Sequence, residues 1–199
     1  MAYADPAPQR STPPSGRQRA VTAAVVMTAW VALLWLLEVI DAASDHALDA
    51  YGITPRVPGD LWDVVPASFL HFGFDHIATN SVPLLVLGFL AALSGLRRFA
   101  AVVAMIVLAS GLGVWFFGPA HSVTAGASGV VFGLFGYLLV RGFVDRRAVD
   151  VLIGVLVLAA YGSILWGALP TAEGVSWQGH LFGLLGGVLA AVVFRRGRA

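Results

Sequence analysis

Six apolar segments follow one another along the chain, separated by short polar or charged stretches. A membrane-spanning helix needs about 20 mainly apolar residues, and most of the segments approach that length. The pattern therefore predicts an all-α, polytopic membrane bundle. Its six helices are expected at residues 21–37, 75–93, 99–117, 128–140, 149–169 and 176–194.

The composition favours a bilayer over water as the surroundings of this chain. Hydrophobic residues make up 58% of its 199 residues and charged residues only 12%, whereas soluble domains carry about 25% charged residues. Cysteine is absent, which excludes disulfides, thiolate metal sites and a cysteine nucleophile. No basic block of the kind that binds nucleic acid is present.

The first 20 residues differ from the rest. They contain four prolines and three arginines, which is typical of a disordered basic tail, so residues 21–199 are predicted to form the membrane domain. A cleaved signal peptide is the competing interpretation of segment 21–37, because Ala42 and Ala43 follow it. Its apolar part would be about 7 to 15 residues long, and this segment has 17.

The arginines predict the orientation. With the loops assigned alternately to the two sides, eleven arginines lie with the chain termini and only Arg56 lies opposite, and the chain has no lysine. The positive-inside rule then places both termini in the cytoplasm of a cell-membrane protein. The long loop 41–74, with five aspartates, is expected outside.

The fourth helix is too short to cross the bilayer. Its 13 residues from Ser128 to Val140 span about 20 Å, against a hydrocarbon core of about 30 Å. If Arg141 anchors the cytoplasmic end, Ser128 lies roughly 10 Å below the outer surface. Segment 118–127 must then dip into the membrane, facing protein or a hydrated cavity, and Gly126 and Gly129 permit a tight entry to the helix.

Three more polar side chains are expected near the depth of Ser128. His180 lies 14 residues before Phe194, or about 21 Å from the cytoplasmic arginines. On the second helix Asn80 is somewhat shallower, and His76 lies one turn above it on the same face. Glycines at three- and four-residue spacing would let helices 4 and 6 approach closely. They are Gly129, Gly133 and Gly136 on the fourth helix, and Gly179, Gly183 and Gly187 on the sixth.

These groups could perform nucleophilic catalysis. A serine hydroxyl needs a base to accept its proton, and neutral imidazole is the commonest base near pH 7. The oxyanion of a tetrahedral intermediate needs hydrogen-bond donors, here the backbone N–H of Ser128, the amide of Asn80 and the imidazole of His76. No acidic third member is evident at this depth.

With these motifs the sequence resembles the rhomboid family of intramembrane serine proteases. Gly126-Ala127-Ser128-Gly129 matches the family's Gly-x-Ser-Gly motif, and His76-Ile77-Ala78-Thr79-Asn80 matches its His-x-x-x-Asn motif. His180 with Gly183, Gly186 and Gly187 is similar to the last helix of the family, and His71-Phe72-Gly73-Phe74 to the segment before its second helix. The resemblance covers residues 62–187 and the six-helix layout.

The resemblance implies a serine endopeptidase that cleaves transmembrane proteins without cofactor or metal. Ser128 would be the nucleophile and His180 the base, with Asn80, His76 and the Ser128 backbone as the oxyanion hole. Phe132 would stack on the base, and Gly126 and His71 would support the site. Either helix 5 or the loop 170–175 would gate substrate entry. Trp62-Asp63 departs from the Trp-Arg that the family often has, which leaves the anchoring of that loop open.

Other interpretations remain open at this stage. An inactive relative would bind or escort membrane helices, and a small transporter would use Glu38, which is expected at the membrane interface. A metal site from His71, Asp75 and His76 would leave Ser128 without a role. Two histidines have simpler explanations: His46 is expected to be solvated, and His121 to be structural. His71 would either hydrogen-bond the loop near the site or lie at the interface.

Overall fold

The computed structural model describes residues 15–170 and 174–195, and within them the regular structure is helical apart from one isolated bridge between Ile53 and Thr124. The described residues form six α-helices: α1 Gly16–Ala43, α2 Phe74–Ala92, α3 Leu96–Phe117, α4 Ser128–Val144, α5 Ala148–Tyr161 and α6 Trp177–Val193. A 3-10 segment, Gly162–Ala168, extends α5.

Four of these helices are long and apolar enough to cross a membrane: α1, α2, α3 and α5 with its 3-10 extension. The protein is thus a multi-pass membrane protein. Helices α4 and α6 have 17 residues each, or about 25 Å, and fall short of the roughly 30 Å core. That all six helices span the bilayer stays a prediction.

Several predicted helix ends were misplaced: α1 extends to Ala43 instead of residue 37, and α3 begins at Leu96 instead of residue 99. The first helix begins at Gly16, five residues before the predicted start, because Ser15 and Gln18 form a capping box there. The predicted disordered tail therefore extends at most to residue 14, and residues 1–14 lie outside the described part. Helix α4 continues past Arg141 to Val144, so Arg141 lies in the last turn of the helix and does not mark its end.

Helix α4 is the centre of the bundle and packs against α2, α3, α5 and α6. Twelve of its 17 residues are buried, whereas α5 buries only Gly154 and Val157. Helices α4 and α6 meet backbone to backbone. A Cβ on Gly183 would collide with the carbonyl oxygen of Gly129, and one on Gly187 with that of Gly133. The predicted close approach of these two helices is confirmed.

One end of the bundle, which we call the arginine end, is held by buried ion pairs. Arg141 is 3% exposed and donates to the carbonyl of Leu90 at 3.1 Å and to Asp150 at 3.0 Å. Arg98 binds Asp145 with both terminal nitrogens, at 2.6 and 3.1 Å. Both guanidinium groups also lie within 6 Å of the Tyr137 ring. A buried arginine is stable where its charge is paired in this way.

The opposite end, which we call the acidic end, is covered by the segment between α1 and α2. Three short 3-10 helices shape it, Ala47–Tyr51, Pro58–Val64 and Pro66–Phe69. The segment is tied to the end of α3, because Arg56 donates to the carbonyls of Phe116 and Gly118. Glu38, expected at the interface, is buried under it at 3% exposure. No local sequence pattern indicates this contact between distant parts of the chain.

Candidate functional site

Ser128 lies at the first residue of α4, reached through a tight turn at Gly126. Gly126 has φ +141°, a conformation that only glycine adopts without strain. Its N–H donates to the carbonyl of Ala67 at 2.8 Å. The N–H groups of the first helical turn have no partner within the helix. Ser128 therefore presents both its hydroxyl and its backbone N–H at the end of α4.

His71 fixes the residue before the serine. It is 2% exposed, and its Nε2 accepts a hydrogen bond from the N–H of Ala127 at 3.2 Å. Of the two roles considered for His71, bonding to the loop near Ser128 is the one observed. Burial, and then the neighbouring His76, lower the pKa of His71 to about 4. Its imidazole is thus neutral near pH 7 and free to accept.

Ser128 and His180 are in contact across the α4–α6 interface. The Oγ of Ser128 and the Nε2 of His180 lie 2.8 Å apart, although 52 residues separate them in the chain. Another hydrogen bond stabilises the α6 side of this contact, since the Ser110 hydroxyl of α3 donates to the carbonyl of Gly179 at 2.8 Å. The arrangement meets the distance required of a nucleophile and its base.

The His180 ring is held on two further sides. Its Nδ1 lies 2.8 Å from the carbonyl oxygen of Gly167. A carbonyl can only accept, so Nδ1 carries the proton and Nε2 is left to accept from Ser128. The Phe132 ring stacks on the imidazole, with centroids 4.1 Å apart and planes 7° from parallel. The tautomer and the plane of the ring are therefore both set by neighbours.

His76 and Asn80 lie on α2 and line the same cavity as Ser128. The Nδ1 of His76 faces the N–H of Phe72 at 3.5 Å, which leaves its Nε2 as the donor of a neutral ring. The amide of Asn80 donates one of its two hydrogens to the carbonyl of His76 at 3.1 Å. One donor hydrogen remains on each side chain.

These residues line an open cavity of about 1020 Å³. Its wall includes His76, Asn80, Ser128, Phe132 and His180, together with segment 122–126 and segment 174–178. A cavity of this size holds many water molecules or a short stretch of extended peptide. The cavity predicted beside Ser128 is therefore present.

Two residues of the site were missed from the sequence. Gly167 acts through its backbone carbonyl, and Ser110 holds the backbone of α6; neither belongs to a recognisable motif. Trp62, beside the unusual Asp63, has 84% of its surface exposed. His121 is exposed in the turn before α4, with φ +63°, and takes no part in the site.

Comparison with known proteins identifies relatives of this chain. The model of the family described as "Rhomboid domain" matches residues 58–197. An uncharacterized protein of Mycobacterium tuberculosis, Rv1337, is 44% identical over 91% of this chain and 79% of its own length. Bacillus subtilis YdcA, whose name provisionally makes it a rhomboid protease, is 31% identical over 66% of each chain. The rhomboid protease GluP of the same organism is 24% identical over 81% of this chain and 32% of its own length.

Proposed function

Because this chain belongs to the rhomboid family, we propose that it is an intramembrane serine endopeptidase that hydrolyses transmembrane proteins. Ser128 is the nucleophile and His180 the general base. The observation that supports this assignment most directly is the 2.8 Å contact between Ser128 Oγ and an imidazole nitrogen whose partner nitrogen is already bonded.

The tautomer of His180 determines where the proton of the Ser128 hydroxyl goes. As Ser128 Oγ attacks the substrate carbonyl carbon, its proton passes to Nε2, and the resulting imidazolium keeps its Nδ1–H bond to the carbonyl of Gly167. The imidazolium then gives the Nε2 proton to the departing amine, leaving an acyl-enzyme. Water from the cavity cleaves that ester by the same route in reverse. The Gly167 carbonyl thus takes the orienting place that a carboxylate has in a triad.

Three donors surround the position of the oxyanion. They are the backbone N–H of Ser128, the remaining amide hydrogen of Asn80 and the Nε2–H of His76. A Cβ built on Gly126 would lie 3.0 Å from His76 Nε2 and 3.7 Å from Ser128 Oγ, so this imidazole and the nucleophile border the same small space. Removing one such donor costs about 10²- to 10³-fold in rate in other hydrolases.

The substrate must expose a backbone carbonyl that is hydrogen-bonded as long as the substrate is helical. A transmembrane helix satisfies its own backbone groups, so local unwinding precedes attack, and small or helix-weakening residues are expected near the cleaved bond. The weakly buried α5 and the segment that follows it are the proposed entry gate; residues 171–173 of that segment lie outside the described part. The arginine end faces the cytoplasm of the cell membrane in this proposal, with both chain termini.

Labelling with a fluorophosphonate probe tests the proposal without knowledge of the substrate. The purified protein should be labelled, and both Ser128→Ala and His180→Ala should abolish labelling. Ser122→Ala is the matched control, because this serine lines the same cavity but its hydroxyl donates to the carbonyl of Pro119. Wild-type protein that stays unlabelled in detergent and in lipid would instead support a relative that binds membrane helices without cutting them.

A further inference from the structure

Glu38, near the end of α1, is a buried carboxylate without a hydrogen bond. It is 3% exposed, and neither of its carboxylate oxygens is bonded within the described part of the chain. The charged neighbours do not balance it. Asp41 and Asp49 are acidic too, and His46, which was expected only to be solvated, lies with its Nδ1 2.9 Å from the Asp41 carboxylate. A carboxylate buried in this way is costly unless another group nearby offsets its charge.

The face of α1 that carries Glu38 lies against the beginning of α2. One turn earlier, Trp35 stacks on Phe74, the first residue of α2, with ring centroids 6.1 Å apart and planes 27° from parallel. The indole N–H of Trp35 also donates to the Ser81 hydroxyl at 3.0 Å. Residues three apart on a helix lie on one face, so Glu38 faces the level just before Phe74. There the N–H of Gly73 approaches its carboxylate without completing a hydrogen bond.

The beginning of α2 has no side-chain cap of its own. Its N-cap residue is Gly73, with φ +95°, which has no side chain to accept from the first N–H groups of the helix. In the described part of the chain the N–H groups of Gly73, Phe74 and Asp75 complete no hydrogen bond, and the side chain of Asp75 is exposed. A helix N-terminus carries about half a positive elementary charge, which a negative group beside it stabilises. The buried carboxylate and the uncapped helix end therefore offset each other.

This helix end carries the proposed oxyanion donors on α2. His76 lies in the first turn, and its N–H donates to the carbonyl of Gly73 at 3.1 Å. Asn80 follows one turn later, with its amide bonded to the carbonyl of His76 at 3.1 Å. Both side chains thus keep their place beside Ser128 only while the first turn of α2 stays in register.

We propose that Glu38 is a positioning residue, whose buried carboxylate holds the first turn of α2 and thereby places His76 and Asn80 beside Ser128. This inference rests on the proposed function, because it gives Glu38 a part in that reaction. Glu38 does not line the cavity, so it acts through α2 and not on the substrate.

Two substitutions of Glu38 separate positioning from stability. Glu38→Met keeps the length of the side chain but removes the carboxylate, and labelling by the fluorophosphonate probe in liposomes should slow about tenfold, the size of one favourable interaction between a charge and a helix end. The midpoint of thermal unfolding should stay unchanged or rise, because replacing a buried, unpaired charge with an apolar group is often neutral or stabilising. Glu38→Gln keeps one acceptor oxygen, so its labelling should be only about threefold slower than that of the wild type.

A double-mutant cycle and amide hydrogen exchange show whether Glu38 acts through α2. In a His76→Ala background, Glu38→Met should slow labelling by less than about twofold more, since residues that act as a unit are not additive. A merely structural residue would slow both backgrounds alike. Exchange gives a readout that needs no activity: the amides of residues 74–77 should exchange faster in Glu38→Met, while those of α4 should keep the wild-type rate.

Asp45→Asn is the matched control, because it removes an exposed carboxylate at the same end of the bundle. Asp45 has φ +53°, a conformation that asparagine also adopts, so labelling and exchange should match the wild type. Wild-type labelling in Glu38→Met, equal slowing in both His76 backgrounds, or slowing that follows a lower unfolding midpoint would overturn the proposal. If the wild type itself is not labelled, the proposed function fails. Faster exchange of residues 74–77 would then still support the contact of Glu38 with α2, and unchanged exchange would overturn it.

Discussion

Replacing Gly167 with alanine should slow the reaction of Ser128 with a fluorophosphonate probe about 10- to 100-fold. An ideal Cβ at this position lies 3.2 Å from the Nδ1 of His180 and 3.1 Å from the Cζ of Phe132. Both distances are shorter than an ordinary van der Waals contact between such atoms. The imidazole and the ring stacked on it must therefore move away from the carbonyl that orients them.

The magnitude follows from the hydrogen bond that is disturbed. The Nδ1 of His180 and the carbonyl oxygen of Gly167 are 2.8 Å apart, near the optimum for this bond. During attack the imidazole becomes charged, and a hydrogen bond to a charged group contributes about 1.5 to 3 kcal/mol. Since 1.36 kcal/mol corresponds to a factor of ten in rate, losing most of it gives the range stated.

Gly162→Ala is the control, because Gly162 belongs to the same 3-10 segment. A Cβ there meets only the Leu158 side chain, at 3.3 Å and beyond, so labelling should keep the wild-type rate. The two variants would be compared by the second-order rate constant of labelling in liposomes. The ¹⁵N chemical shifts of His180 give a second readout, since they distinguish a ring protonated at Nδ1 from one protonated at Nε2.

A positioning role for Gly167 requires three results together. Labelling slows in Gly167→Ala, the Nδ1–H signature weakens, and the unfolding midpoint stays close to that of the control. Wild-type labelling and an unchanged ¹⁵N spectrum in Gly167→Ala would refute the reasoning, because the base would then need no help from this carbonyl. A large drop in unfolding midpoint would instead assign the loss of activity to misfolding.

Three further outcomes are expected. Gly126→Ala should reduce labelling more than tenfold, because its positive φ costs about 1 to 3 kcal/mol with a side chain and its Cβ would lie 2.8 Å from His76. Gly187→Ala should lower the free energy of unfolding by about 3 kcal/mol, the upper part of the range typical of overpacking. The reason is that the new methyl group meets the backbone carbonyl of Gly133, which cannot move aside as a side chain can. Acidification from pH 7 to pH 5 should destabilise the protein by about 2 kcal/mol through His71. The unfolded state binds a proton below about 6.5 while the folded state resists it down to about 4. That part of the pH dependence should disappear in His71→Gln.

Neighbouring positions supply the controls for these outcomes. Gly59→Ala, at an exposed position with open space around its Cβ, should change neither labelling nor stability. His121→Gln replaces an exposed histidine and should keep the pH dependence of the wild type. Wild-type labelling in Gly126→Ala, wild-type stability in Gly187→Ala, or an unaltered pH profile in His71→Gln would each contradict the corresponding argument.

Local signals predicted much of the architecture correctly. The start of α4 at Ser128 was predicted to the residue, because Gly126 permits the tight turn that precedes the helix. That Ser128 and His180 lie at the same level of the bundle was obtained from the rise per residue alone, and the two side chains are in contact; their depth in the membrane stays a prediction. Both predictions were correct because they depend only on helix length and on the spacing of residues along the sequence.

Long-range packing caused the failures. Arg141 was expected to mark the end of the fourth helix and lies inside α4, buried because Asp150 pairs with its charge and the carbonyl of Leu90 accepts a hydrogen bond from it. Glu38 was expected at the interface and lies beneath a loop whose course no local pattern encodes. The carbonyl of Gly167 could not be found either, because a backbone group leaves no trace in the amino-acid type.

The direct contact of the α4 and α6 backbones has a consequence for how activity is lost. No side chain stands between the glycines of the two helices, so no rotamer change at this interface can lengthen the distance between the backbones of Ser128 and His180 in small steps. Only separation of whole helices can do so. Heat or harsh detergent should therefore divide the molecules into fully active and fully inactive populations. A fluorophosphonate probe should then label fewer serines in total, and each serine that still reacts should do so at the unchanged rate.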